Sequence, residues 1–513
     1  MSGKQGSEDA AVEQPALELL AELGWEILSG FDEPGELGRS SKADVVLEAR
    51  LRDAVQRLNL GLDSGAIDAA VAAFMGDRSS LDPVRANKAV WELLRDGVVV
   101  PADDGRGGKE SRRVRFVAWD VAGQNEFLAV SQLWVTGELH TRRTDIVLFL
   151  NGIPLGFLEL KAPDRTVHEA YQGNLRAYRA EIPQLFWFNA FVILSNGSES
   201  RMGSTYAPWE FFAEWKKIDD EAEAGVVSLE TMLRATCEPH RMLDIVENFV
   251  AYTETGGSID ADGKRTGSLV KKVAKNHQYL GVNNALEATY QVKEREGRLG
   301  VFWHTQGSGK SLSMLWFTQK VLRKRPGNWT FVLVTDRREL DEQLYEEFAD
   351  SGVITSGVEV HAETSAHLRE LLGQDHRYVF TLIHKFIPAE RGAEMSVLSD
   401  RSDIIVITDE AHRSQYDTLA ANMRAALPNA SFLGFTGTPL IEGEEQATKR
   451  VFGDYVSTYN FADSIRDGAT VPLYYENRIP ELQLTNADFA DELDALLEEA
   501  EVDEDAEGAL ARQ

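Results

Sequence analysis

"TDIVLFLNGIPLGFLELKAP", residues 144 to 163, decides how the first half of the chain is read. Two apolar runs flank Asn151-Gly152, a dipeptide suited to the positive φ angles of a tight hairpin turn. Asp145 opens the first run, while Glu159 and Lys161 close the second, although strands this apolar ordinarily exclude charge. Residues 159 and 161 share one strand face and Leu160 points to the other. A strict two-residue turn at Asn151-Gly152 puts Asp145 on the face opposite Glu159. A three-residue loop, Leu150-Asn151-Gly152 with Gly152 left-handed, instead brings Asp145 opposite Phe157 and diagonal to Glu159. A bulge elsewhere in the hairpin serves equally well.

An acid followed by Glu-x-Lys at the end of the next strand is the pattern of the PD-(D/E)xK nucleases. Asp145 and Glu159 are then joint ligands of Mg²⁺, which positions and acidifies a water. Lys161 favours hydroxide and steadies the charge growing on the phosphate. On spacing alone, a salt bridge from Glu159 to a cation is the plainer account.

With 513 residues the chain is too long for one core, so two to three domains are expected. Residues 1–14 are polar and expected to be disordered, with an α/β nuclease region over 15–253. "ALELLAELGWEIL" and "VLEARLRDAVQRL" carry helical spacing, and "RRVRFVAWD", "FLAVSQLWV" and "FWFNAFVILSNG" read as strands. "VHEAYQGNLRAYRAEI" is a helix between the last strands. Residues 254–268 are rich in Gly, Ser and Asp and read as a linker. Beyond it "LGVFWH", "WTFVLVTD", "YVFTLI", "DIIVITDE" and "SFLGFTG" alternate with helical patterns, which predicts a parallel sheet across 269–475.

The formal net charge of −30 argues against a protein that coats nucleic acid by bulk attraction, yet leaves room for a locally basic channel. Twelve acids stand against Arg512 alone from Glu481 onward, so 476–513 reads as a solvated acidic tail. Cys237 is the sole cysteine, which excludes an internal disulfide and a cysteine zinc site. No signal peptide or bilayer-length apolar run is seen, and a cytoplasmic protein is expected.

"HTQGSGKSLSM" (304–314) follows a strand and enters a helix, as a phosphate loop requires, with His304 where the strict pattern has glycine. Gly307, Ser308 and Gly309 turn backbone N–H groups toward an anion, Lys310 neutralises phosphate oxygens and Ser311 holds Mg²⁺. "IIVITDEAH" ends an apolar strand in two carboxylates, Asp409 to bind Mg²⁺ through water and Glu410 to polarise the attacking water. "DEAH" (Asp409 to His412), "TGT" (Thr436 to Thr438) and "VTDRRELDEQL" (334–344) resemble motifs of superfamily 2 helicases and translocases. That resemblance implies an ATP-binding RecA-like domain, an adenine reader at Gln278 in "NHQYLGVNNAL", and DNA contacts from Arg337 and Arg338.

Taken together, "RRTDIVLFLNGIPLGFLELKAP", "EIPQLFWFNAFVILSNG" and "HTQGSGKSLSM" resemble the restriction subunit of type I restriction-modification enzymes, the HsdR family. The likeness runs from "LAELGWEIL" (20–28) to "DGATVPLYYENRIPEL" (467–482). It implies Mg²⁺, ATP, double-stranded DNA as substrate, and methyltransferase and specificity subunits as partners. Thr144 stands where the family has Pro before the first metal-binding Asp. Asn174 and Tyr178 match the family's Gln-x3-Tyr, and Gln172, on another helix face, does not replace Asn174. The family's first-helix acid has Glu13 as a candidate, for which a surface position is the plainer reading. Arg112, Arg113, Arg115, Arg142 and Arg143 form basic clusters near the hairpin.

After "SFLGFTGTPL" about seventy residues remain, too few for a second motor domain, so the isolated chain is expected to bind nucleotide with little DNA-stimulated hydrolysis. The alternatives are a stand-alone ATP-driven helicase or repair nuclease, and a truncated subunit that docks on the complex but neither pumps nor cuts.

Overall fold

The computed structural model describes residues 9–31, 37–256, 267–354, 360–388, 395–409, 416–439 and 444–470. Glu410, His412, the end of the expected motor region and the acidic tail lie outside the described residues. Two sheets organise the rest.

The first is mixed and six-stranded, in the order Glu26–Ser29, Phe127–Ser131, Ile146–Leu150, Ile153–Leu160, Phe191–Ser195 and Ser200–Gly203. Its first two strands run parallel, as do Ile153–Leu160 and Phe191–Ser195; the other neighbours are antiparallel. The hairpin strands are buried at every position, so they occupy the middle of the sheet and not an edge.

Asn151 and Gly152 both have positive φ (50° and 78°), so the connection is a two-residue turn, not the three-residue loop. Leu150 pairs with Ile153 and Phe149 with Pro154, but Leu148 pairs with Gly156, which leaves Leu155 as an extra residue. The bulge is held from outside the hairpin: the Leu155 carbonyl accepts from Ala190 N at 2.6 Å and Asn189 Nδ2 at 3.2 Å. Gly156 fits here because a Cβ would come within 3.0 Å of the Leu148 side chain.

Asn151 is fully buried and satisfied on both sides of its amide. Nδ2 donates to Phe116 O and Asn125 Oδ1, each at 2.9 Å, and Oδ1 accepts Glu126 N at 2.8 Å. Replacing it with Ala leaves the buried Phe116 carbonyl and the half-buried Glu126 N–H without their partner and strains φ. Asn151→Ala is expected to cost about 2–4 kcal/mol in denaturant unfolding; a loss under about 0.5 kcal/mol would show that the turn tolerates the change.

Several local expectations change. Residues 9–14 are helical and not disordered: Asp9–Glu13 leads into the helix Gln14–Glu22, and Val12 and Glu13 are buried. "ALELLAELGWEIL" is a helix only to Glu22, where Gly24 at φ 95° breaks it and Glu26–Ser29 continues as a strand. In "RRVRFVAWD" the strand Lys109–Val114 leaves the main sheet and pairs with Val98–Asp103 in a two-stranded ribbon. Of the expected linker 254–268, Glu254, Thr255 and Ser268 belong to an antiparallel pair, Val250–Thr255 with Ser268–Val273, and residues 257–266 lie outside the described residues.

The second sheet is wholly parallel, in the order Tyr378–Leu382, Thr330–Thr335, Ile404–Thr408, Ser431–Thr436, Arg298–His304 and Tyr455–Tyr459. The last strand escaped the sequence reading because its Ser and Thr interrupt the apolar run. Alternate residues serve two cores. Phe331, Leu333, Ile405, Ile407, Leu433 and Phe435 join the large core that also contains the first sheet, whereas Val332, Val334, Ile404, Val406 and Phe432 build a second one. Each such side chain contributes about 1.5–3 kcal/mol by leaving water. Burial on both faces is what makes these strands continuous apolar runs. Both sheets thereby lie within one compact unit ending at Thr470. Among the described residues no helix is long and apolar enough to cross a membrane.

Candidate functional site

The bulge settles the parity of the hairpin. Ile146 pairs with Leu158, so extending that register by one residue sets Asp145 opposite Glu159 on one face. Asp145 Oδ2 accepts the Leu160 N–H at 2.7 Å. Lys161 Nζ lies 2.6 Å from Glu159 Oε1 and also donates to the Leu160 carbonyl at 2.8 Å. Asn174 Nδ2 donates to the same Glu159 oxygen, and Tyr178 OH donates to the Arg143 carbonyl at 3.0 Å, just before Asp145. The helix carrying Asn174 opens into a π turn at Ala170–Leu175, a distortion frequent where side chains must be re-aimed. Gln172 is exposed and meets His168 instead.

Glu159 is fully buried, and its Oε2 has no hydrogen-bond partner among the described residues. Burial, then the facing Asp145 charge, push Glu159 up to about 8, with Lys161 pulling the other way. Two carboxylates facing each other in a dry site favour a cation between them, and the unpartnered oxygen offers it a ligand. Among the described residues no group of three His, Cys, Asp or Glu side chains surrounds one point, so the pair stands with the Leu160 carbonyl beside it.

Glu13 is not a surface acid. It is 5% exposed and accepts from Gln132 Nε2 at 2.5 Å, while Gln132 N, on a residue at φ 53°, donates to the Asp145 carbonyl at 2.7 Å. The signal was available: Glu13 lies on the helical face of Ala16, Leu17 and Leu20, all buried. The basic clusters are partly spent internally. Arg142 pairs with Glu181, Arg112 with Glu110 at 3.0 Å, and Arg113 donates to the Asp96 carbonyl. Arg115 is exposed, and Arg143 lies 5.6–5.7 Å over the Phe31 and Trp134 rings.

In the parallel sheet the phosphate loop, Thr436 and Asp409 follow the carboxyl ends of three neighbouring strands, where such sheets hold ligands. Gly307 and Gly309 have φ of 82° and 87°, and Lys310 begins the helix Lys310–Lys324. Lys310 Nζ donates to the His304 carbonyl at 3.3 Å, and Ser311 follows it in the helix's first turn, half-buried. Gln278 is buried; its Nε2 donates to the Gly309 carbonyl at 3.1 Å and its Oε1 accepts Lys275 N at 2.9 Å. His277 Nε2 meets the Ser308 carbonyl at 3.1 Å, and the Ser308 hydroxyl is buried without a hydrogen-bond partner among the described residues. A cavity of about 300 Å³ beside Gln278, Gly307 and Gly309 is walled by Pro208, Phe211 and Lys272. Asp409 N donates to the Val334 carbonyl at 2.9 Å, and Thr436 Oγ1 accepts Thr438 N at 3.3 Å. Arg337 and Arg338 are exposed at the end of strand Thr330–Thr335, Arg337 lying 3.6 Å from Asp336.

Residues 5–211 match the family model of the type I restriction enzyme R protein N terminus, and residues 277–507 that of the SWI2/SNF2 ATPases. The second match crosses the stretch read from composition as an acidic tail. The type I restriction enzyme HindI endonuclease subunit of Haemophilus influenzae is 38% identical over 520 residues, covering 95% of this chain and 48% of the relative. The putative type I restriction enzyme MjaIXP endonuclease subunit of Methanocaldococcus jannaschii is 33% identical over 96% of this chain and 48% of its own length. The chain thus spans about half the length of these relatives. Over nearly all of its own length it is similar to these type I restriction enzyme endonuclease subunits, carrying a region that matches the type I R protein N terminus followed by one that matches the SWI2/SNF2 ATPases.

Proposed function

We propose that this chain is the nuclease and ATP-binding part of a type I restriction subunit, which cuts unmodified double-stranded DNA while its motor moves DNA at the expense of ATP. The observation that carries the nuclease reading is the bulge at Leu155, which puts Asp145, Glu159 and Lys161 on one face with a buried, unpartnered carboxylate oxygen. On this reading the first sheet is a PD-(D/E)xK fold, and Asp145 and Glu159 hold Mg²⁺. When bound, the ion supplies Lewis acidity to the attacking water. Lys161 keeps its ammonium beside that water and offsets charge building on the scissile phosphate. Asn174 holds the Glu159 carboxylate in line, and Tyr178 braces the chain before Asp145.

In the ATP site, Gly307, Ser308, Gly309 and Lys310 receive the phosphates, and Ser311 and Asp409 hold Mg²⁺. Glu410 orients the hydrolytic water, and Gln278 reads the adenine. His412, Thr436 and Thr438 link the nucleotide to DNA grip, with Arg337 and Arg338 on the DNA backbone. Methyltransferase and specificity subunits supply recognition of the DNA sequence.

Cleavage of unmodified circular DNA tests the reading, using this chain with and without its cognate methyltransferase and specificity subunits. Cutting is expected only with the partners, Mg²⁺ and ATP together. Partner binding and nucleotide binding without any metal-dependent cutting would remove the nuclease role. Cutting without a partner would favour a stand-alone helicase–nuclease.

A further inference from the structure

His304 opens the phosphate loop in place of glycine, and its ring is tied to a segment far away in sequence. Its Nε2 lies 2.7 Å from Ser457 Oγ on the adjacent strand Tyr455–Tyr459, the outermost of the parallel sheet. Ser457 Oγ in turn donates to Glu221 Oε1 at 2.5 Å, and Glu221 Oε2 accepts the Thr458 N–H at 2.7 Å. An ionised carboxylate is only an acceptor and a serine has one proton. Burial raises the Glu221 carboxyl, but its two bonds to Ser457 Oγ and Thr458 N suit an acceptor; Ser457 then gives it the proton and accepts from His304 Nε2. Burial also holds His304 well below the usual imidazole range. The Thr458 N–H lies on an open sheet edge, so Glu221 also satisfies an edge donor.

Glu221 belongs to residues 216–225, outside both sheets, and this segment is fastened along its length. Asn276 Oδ1 accepts Lys216 N and Lys217 N at 3.2 and 3.0 Å, and Asn276 Nδ2 donates to the Lys217 carbonyl at 2.9 Å. Arg241 donates to the Ile218 carbonyl at 2.7 Å, and Glu223 accepts three consecutive N–H groups, of residues 218 to 220. Lys216 bridges Glu214 at 2.9 Å and Asp467 at 2.6 Å, and Asp467 also accepts from Tyr459 OH at 2.9 Å. At the far end of the tie, the His304 carbonyl is the acceptor for Lys310 Nζ.

We propose that Glu221, Ser457 and His304 are positioning residues that couple the 216–225 strap to the phosphate loop. The inference rests on the ATP-site reading above. Nucleotide draws Lys310 away from the His304 carbonyl, because phosphate oxygens are stronger acceptors than a backbone carbonyl. The strand end that carries His304 then shifts, and the polar chain passes the shift to Glu221 and its strap.

Two measurements on the whole chain test this. In hydrogen–deuterium exchange, saturating Mg·ATP is expected to change exchange across 217–225 in the wild type and not in Ser457→Ala. In titration with Mg·ATP, Ser457→Ala and His304→Leu are expected to bind about five- to tenfold more weakly, the worth of one ordinary intramolecular hydrogen bond. Ser457→Thr, which keeps the hydroxyl, and His304→Gln, which keeps an amide donor at similar reach, are expected to restore most of the affinity. A chain that binds Mg·ATP but shows no change across 217–225 overturns the coupling. Equal affinity in all four variants overturns the positioning role. A wild-type chain that binds no nucleotide at all removes the ATP-site reading instead.

Discussion

Glu159→Ala is expected to lower DNA cleavage by the assembled complex at least about a hundredfold while leaving nucleotide binding unchanged. The effect is large because Glu159 does two things at once. On the proposed reading its Oε2, buried without a hydrogen-bond partner among the described residues, takes the metal, while its Oε1 accepts from both Lys161 Nζ and Asn174 Nδ2. Removing it takes one of the two carboxylates off the face and removes the acceptor that Lys161 Nζ and Asn174 Nδ2 share. Lys161→Ala is expected to produce a comparable loss by another route, since the carboxylates remain but the charge beside the phosphate is gone. Calorimetric titration with Mg²⁺ separates the two: Glu159→Ala loses metal binding and Lys161→Ala keeps it. Parallel loss of nucleotide binding in either variant would point to misfolding. Wild-type cleavage in Glu159→Ala would take the catalytic role away from this hairpin.

Lys310→Ala is expected to weaken Mg·ATP binding at least about a hundredfold, because the phosphates lose their main counter-charge in a loop otherwise made of backbone donors. The folded state should barely notice. Lys310 is half-buried, and its hydrogen bond to the His304 carbonyl is long, 3.3 Å. Thermal unfolding within a few degrees of the wild type, alongside lost binding of a fluorescent ATP analogue, is the expected pattern. On the proposed reading Glu410→Gln complements it in the assembled complex: binding persists and hydrolysis falls by about two to four orders of magnitude, since the amide keeps the shape and cannot act as a base. ATP affinity unchanged in Lys310→Ala would mean that nucleotide, if bound, lies elsewhere.

The sequence by itself determined the features that are local. Runs such as "FVLV" (331–334) and "IIVI" (404–407) are apolar at every position because both faces of the parallel sheet are covered, and that is visible without coordinates. The phosphate loop is equally local, since Gly307 and Gly309 supply positive φ angles and Lys310 starts the helix within four residues. The pairing of an acid with Glu-x-Lys was legible too, but not whether the three side chains share a face. That depended on one extra residue, Leu155, whose carbonyl is held by Ala190 and Asn189 from the approach to the next strand. A bulge fixed by a partner outside the hairpin leaves no mark on the hairpin's own pattern. The burial of Glu13 was half legible, from helix phase but not from charge, because only the fold reveals that Gln132 waits to receive it. The tie from Glu221 through Ser457 to His304 was not legible at all. Glu221 and Ser457 are 236 residues apart, and a serine in a short edge strand carries no signal until packing puts an acceptor on one side of it and a donor on the other.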